Sequence, residues 1–100
     1  MNLHTSFETE RGSRYLQTLC KHFGRKIPVR FDVEDGIVEL PFGRCELKAS
    51  SARLELTVYA DTLVDLNQAK QIITSHLERY AFRENPDLQW HPSESHALQA

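Results

Sequence analysis

The sequence has 100 residues, of which 40% are hydrophobic and 26% charged, and its 12 Lys and Arg against 14 Asp and Glu give a formal charge of -2. Length and composition describe one globular domain with no room for a second core, and the near-neutral balance excludes a sequence-independent nucleic-acid binder, which needs an excess of cations. Two cysteines make no disulfide framework, no apolar run approaches membrane length, and the N-terminus lacks the basic start and apolar centre of an export signal, so a reduced, cytoplasmic protein with no membrane partner is expected.

Leu3, Thr5, Phe7 and Thr9 alternate with His4, Ser6 and Glu8, the period of a half-buried strand. Ser13 then offers an N-cap. Leu16, Leu19, Cys20 and Phe23 make one helical stripe, and Gly24 is placed to end it in the left-handed conformation. Four strands follow from Pro28. Asp35-Gly36 has the composition of a type I′ turn and predicts Val33 opposite Val38, Phe31 opposite Leu40 and Val29 opposite Phe42. Gly43-Arg44 predicts a second turn with Leu40 opposite Leu47. Ser51-Ala52 predicts a third, with Ala49 opposite Leu54, Leu47 opposite Leu56 and Cys45 opposite Val58.

From Asp61 or Thr62 to about Phe82, the residues Leu63, Leu66, Ala69, Ile73, Leu77 and Tyr80 fall on one helical stripe, and Pro86 rules out continuation past Asn85. Leu88 and Trp90 alternate with Gln89 in a short extended piece that folds back. The order β-α-β-β-β-β-α, with one apolar face per element, predicts an α+β two-layer sandwich. Its five-stranded antiparallel sheet has the order 1-5-4-3-2 with two helices on one face, resembling one lobe of the TATA-binding-protein fold. Residues 1–92 form the single domain and 93–100 a mobile C-terminal tail. Removing the Phe31 or Leu56 side chain is expected to cost about 3–5 kcal/mol.

The outer face of the sheet carries Arg30, Asp32, Glu39, Arg44, Glu46, Lys48, Arg53 and Glu55, four cations against four anions, with Thr57 and Tyr59. Such alternation reads as a solvated face held by cross-strand ion pairs. His22 and His76 flank the two helical stripes and approach one another if the helices pack side by side. With Cys20 or Cys45 they contain the ligand types of a metal or thiol site, but at no recognised spacing. Lys21 to Lys26 is a basic helix end. The stretch from His76 to Glu84 is dense in aromatic and charged residues, and reads as a seal for the open end of the sheet.

At Lys21-His22-Phe23-Gly24-Arg25-Lys26, at Leu40-Pro41-Phe42-Gly43-Arg44-Cys45 and from His76 to Glu84, with Trp90 beyond, the sequence resembles the bacterial family domain of unknown function 2218. The resemblance implies a stand-alone cytosolic protein with no assigned catalytic residue. It also implies a link to siderophore utilisation, and it makes His22, Gly24, Arg25, Cys45, His76, Arg79, Phe82 and Trp90 candidates for a shared surface. Together these point to a non-catalytic binding or accessory module without a cofactor, monomeric or weakly dimeric. It would hold a small anionic ligand or a partner protein at His22, Arg25, His76, Arg79 and Trp90. The alternatives are a small enzyme with a histidine general base and a metal-binding protein.

Overall fold

The computed structural model describes residues 1–92. Strand β1 (Asn2–Glu8) leads into helix α1 (Gly12–Phe23), then into a meander of β2 (Val29–Phe31), β3 (Asp35–Leu40), β4 (Gly43–Ala49) and β5 (Arg53–Tyr59). Helix α2 (Leu63–Tyr80) and one 3-10 turn (Phe82–Glu84) complete the order. The expectation of a mobile tail at 93–100 lies outside the described residues.

All strand pairs are antiparallel and the sheet order is β1-β5-β4-β3-β2, as the element pattern predicts. Thr5, Phe7, Val38, Leu40, Cys45, Leu47, Ala49, Leu54, Leu56 and Val58 turn one face of the sheet inward, where Leu16, Leu19, Cys20 and Phe23 of α1 meet it. Leu66, Ala69, Ile73 and Leu77 of α2 close the same layer. Single-faced elements leave no second apolar surface to cover, so two layers suffice. No helix among the described residues is long and apolar enough to cross a membrane.

The third hairpin has the expected register, with Ala49 opposite Leu54, Leu47 opposite Leu56 and Cys45 opposite Val58. The first two do not. Val29 faces Val38 and Phe31 faces Gly36, because the turn lies earlier, around Val33 and Glu34. There the Asp32 amide donates to the Asp35 carbonyl, while the Asp32 carboxylate accepts from the Glu34 and Asp35 amides at 2.8 Å each. This Asx-type closure outcompetes the Asp35-Gly36 signal. Gly36 is instead a strand residue, needed bare because a side chain would reach within 3.0 Å of Cys20 Sγ and 3.3 Å of Leu16. Val33, expected inside, is exposed.

The second turn likewise falls at Pro41-Phe42, leaving Leu40 opposite Gly43 and Val38 opposite Cys45. Proline's fixed φ and missing N–H suit the first central position of such a turn. Two capping expectations also fail. Helix α1 starts after Arg11 with no side-chain cap, and Gly24 is right-handed at φ -64°. Thr62 does cap α2, its side chain accepting from the Asp65 amide.

After the 3-10 turn the chain returns along the sheet margin. His4 and His91 exchange backbone hydrogen bonds of 2.6 and 2.8 Å, and Thr5 Oγ1 donates to the Gln89 carbonyl at 2.8 Å. On the outer face, Lys48 pairs with Asp35 at 3.6 Å, Arg44 with Glu46 at 3.3 Å, and the Arg44 guanidinium lies 4.8 Å from the Tyr59 ring centre. Exposed pairs of this kind add little stability.

A knot around Glu84 has no counterpart in the sequence reading, which took the stretch from His76 to Glu84 as a seal for the open end of the sheet. The Glu84 carboxylate accepts from the Tyr15 hydroxyl, from Thr9 Oγ1 at 2.7 Å and from Arg11 at 3.3 Å, tying the 3-10 turn to the β1–α1 junction. Those donors, Tyr15 first and then Thr9, hold the carboxyl below its ordinary range. A depressed carboxyl stabilises the fold above its unfolded pKa and loses that contribution as pH falls through the folded value. Glu84→Gln is therefore expected to be less stable than the parent at pH 7, with the gap narrowing between about pH 5 and 3 in urea titrations.

Candidate functional site

Helix α1 ends at Phe23 with a tight reversal. Gly24 donates its amide to Cys20, and the Lys26 and Ile27 amides both donate to the Phe23 carbonyl at 3.1 and 3.0 Å. That turn holds Arg25 and Lys26 beside the negative pole of the helix, where cations are favoured. Helix α2 passes alongside. The His22 and His76 ring centres are 4.8 Å apart, with Phe23 4.9 Å from His76 and Tyr80 6.0 Å from His22. The conditional approach of the two histidines is thus realised.

Between the end of α1, the Pro41-Phe42 turn and the middle of α2 lies a groove of about 500 Å3. Its floor is apolar, made by Phe23, Ile27, Leu40, Pro41, Phe42 and Ile72, and its basic rim is made by His22, Arg25, Lys26 and His76. A concave apolar floor with a few convergent polar groups is the usual form of a small-molecule site. Burial first, then the neighbouring His76 imidazole and the Arg25, Arg79 and Lys26 cations, push His22 below the ordinary histidine range. His76 Nδ1 lies 2.7 Å from the Ile72 carbonyl, which can only accept, so this nitrogen carries the hydrogen and Nε2 remains for other use.

Of the five residues singled out in the sequence, His22, Arg25 and His76 share this groove. Arg79 is exposed one helical turn beyond His76 and acts on His22 through its charge. Trp90 lies elsewhere. Its Nε1 donates to Thr74 Oγ1 at 2.9 Å, and it lines an adjoining hollow with Leu88, Thr74 and Glu78 that meets the groove at Phe42 and Ile72. Lys26, read in the sequence as part of a basic helix end, joins His22, Arg25 and His76 on the rim, whereas the floor was not recognised because Phe42 was assigned to a strand. Pro41 was the available signal that Phe42 belongs to a turn.

Cys20 and Cys45 are fully buried in the core and line no part of the groove. Burial alone pushes the Cys20 thiol up to about 11 and is the leading cause of a rise at Cys45. A thiol kept protonated and enclosed is a poor nucleophile. Among the described residues, no group of three or more His, Cys, Asp or Glu side chains is placed to hold a metal ion.

Fold and groove define a small two-layer α+β domain with a basic-rimmed hollow beside its helices. The chain belongs to the bacterial family domain of unknown function 2218, described as an uncharacterised protein conserved in bacteria, whose model matches residues 4–91. Among solved structures it is similar to the NMR structure of PA4090 from Pseudomonas aeruginosa. That similarity has a TM-score of 0.79 and 29% sequence identity, covering 94% of this chain and 98% of the other. A comparison with curated proteins gave no match.

Proposed function

We propose that this protein is a non-catalytic binding module that holds a small organic anion, apolar at one end, in the groove between α1 and α2. The supporting observation is the pairing of an apolar floor with four basic side chains and no acidic residue in one concave surface. The floor removes the ligand's apolar body from water at about 25 cal/mol per Å2, and the rim meets its charge. His22, Arg25, Lys26 and His76 provide the contacts, Arg79 strengthens the positive field, and Trp90 secures α2 from its other flank.

NMR titration of the full chain tests the reading with octanoate, benzoate, inorganic phosphate and a ferric hydroxamate chelate. The chelate represents the siderophore link that the family resemblance implied. Octanoate or benzoate is expected to shift the amides of His22, Arg25, Phe42 and His76 together. Shifts confined to other surfaces, or none across the panel, would rule the groove out.

A further inference from the structure

We infer that the groove takes its anion as a carboxylate and takes up one proton with it, on the imidazole pair His22 and His76. This rests on the proposed binding groove and specifies both the head group and its control by pH. His76 commits Nδ1–H to the Ile72 carbonyl at 2.7 Å, so the neutral ring has only a lone pair at Nε2. A lone pair repels an anion. Protonation converts Nε2 into a charge-assisted donor without disturbing the bond to Ile72.

The surroundings of His22 disfavour that proton. The charged and titratable groups facing the pair are His22, Arg25 and Lys26 from α1 and its following turn, and His76, Arg79 and Tyr80 from α2. The Pro41-Phe42 turn contributes apolar side chains alone to the groove. Burial, the His76 imidazole 4.8 Å away and the Arg25, Arg79 and Lys26 cations therefore oppose protonation of His22. A bound anion reverses the balance by supplying the missing negative charge. The proton comes from solvent and returns there when the ligand leaves.

A carboxylate suits the site for two reasons. It carries one charge on a planar head that leaves the rest of the molecule for the apolar floor. It also remains ionised throughout the range in which imidazoles titrate, whereas a phosphate monoester itself titrates near pH 6. Tightening of binding in mild acid is then a property of the protein. Where one proton is taken up per ligand, linkage requires affinity to change about tenfold per pH unit.

Isothermal titration of the full chain with octanoate from pH 6 to 8.5, in two cationic buffers of different ionisation enthalpy, measures affinity and proton uptake together. Affinity is expected to fall about tenfold per unit above roughly pH 7, with close to one proton taken up per octanoate. Octanamide, uncharged but similar in shape, is expected to bind weakly and without pH dependence. His76→Gln is expected to reduce the proton uptake and flatten the pH dependence of octanoate affinity relative to the unmutated protein. The imidazole C2–H resonances of the unmutated protein, which need no variant to fold, are expected to titrate at higher pH with octanoate present. Octanoate binding of constant affinity across the range, or an equal slope for octanamide, would overturn the proton linkage and leave the binding module standing. Failure of octanoate to bind at any pH would remove both.

Discussion

Leu56→Ala is expected to lower the free energy of unfolding by about 2–5 kcal/mol, the range for emptying a leucine site in a packed core. Leu56 has no exposed surface. It sits at the centre of β5, opposite Thr5 on one neighbour and Leu47 on the other, beneath the helical layer. Backbone hydrogen bonds on both flanks stop the strand from closing around the lost methyl groups, so the site keeps much of its cavity. Urea unfolding should show an earlier midpoint with an unchanged slope. Phe31→Ala, given the same cost on sequence grounds, is expected to lose well under half as much. Phe31 belongs to the three-residue edge strand and is only partly buried. Equal midpoints for the two variants would mean that burial and strand position are misjudged here.

Gly43→Ala is expected to cost about 1–3 kcal/mol and to disturb the groove as well. A Cβ on Gly43 would be driven into the backbone carbonyl oxygen of Tyr59, with the Ala60 side chain 3.4 Å away. A carbonyl in the sheet cannot swing aside like the end of a flexible side chain, so β4 must shift at its first residue. Pro41 and Phe42 immediately precede that residue and form part of the groove floor. The prediction is therefore double: a lower denaturation midpoint, and altered Phe42 and His22 resonances in the folded state. Leu56→Ala should leave those two resonances near their parent positions, which separates loss of stability from distortion of the site.

Strand order, helix positions and the identity of the inward face could all be read from periodicity, although two of the three hairpin turns were misplaced. The reason is arithmetic. Each misplaced register moves a partner by four residues, as Phe31 moves from Leu40 to Gly36, and an even shift returns every side chain to the same side of a pleated strand. Period-2 patterning thus resolves the face but cannot distinguish registers two or four residues apart. The closures themselves depend on Asp32 gathering two amides and on Pro41 at a turn, local signals that Asp35-Gly36 and Gly43-Arg44 imitate. For the groove, His22, Arg25 and His76 were visible as basic and aromatic residues near helix ends. Its floor was hidden by the register error at Phe42. The Glu84 knot joins positions 69 to 75 residues apart, a separation over which no local pattern operates.

The segment around His91 has a further effect on how the sheet meets its surroundings. By bonding to His4 it pairs with the outer margin of β1 at that position, so among the described residues the opposite boundary, the short β2, is the one left without a main-chain partner for another chain to join. Two copies meeting there through a twofold axis would exhaust that boundary on both. Growth by strand addition would halt at a pair, so this layout opposes open-ended fibre formation.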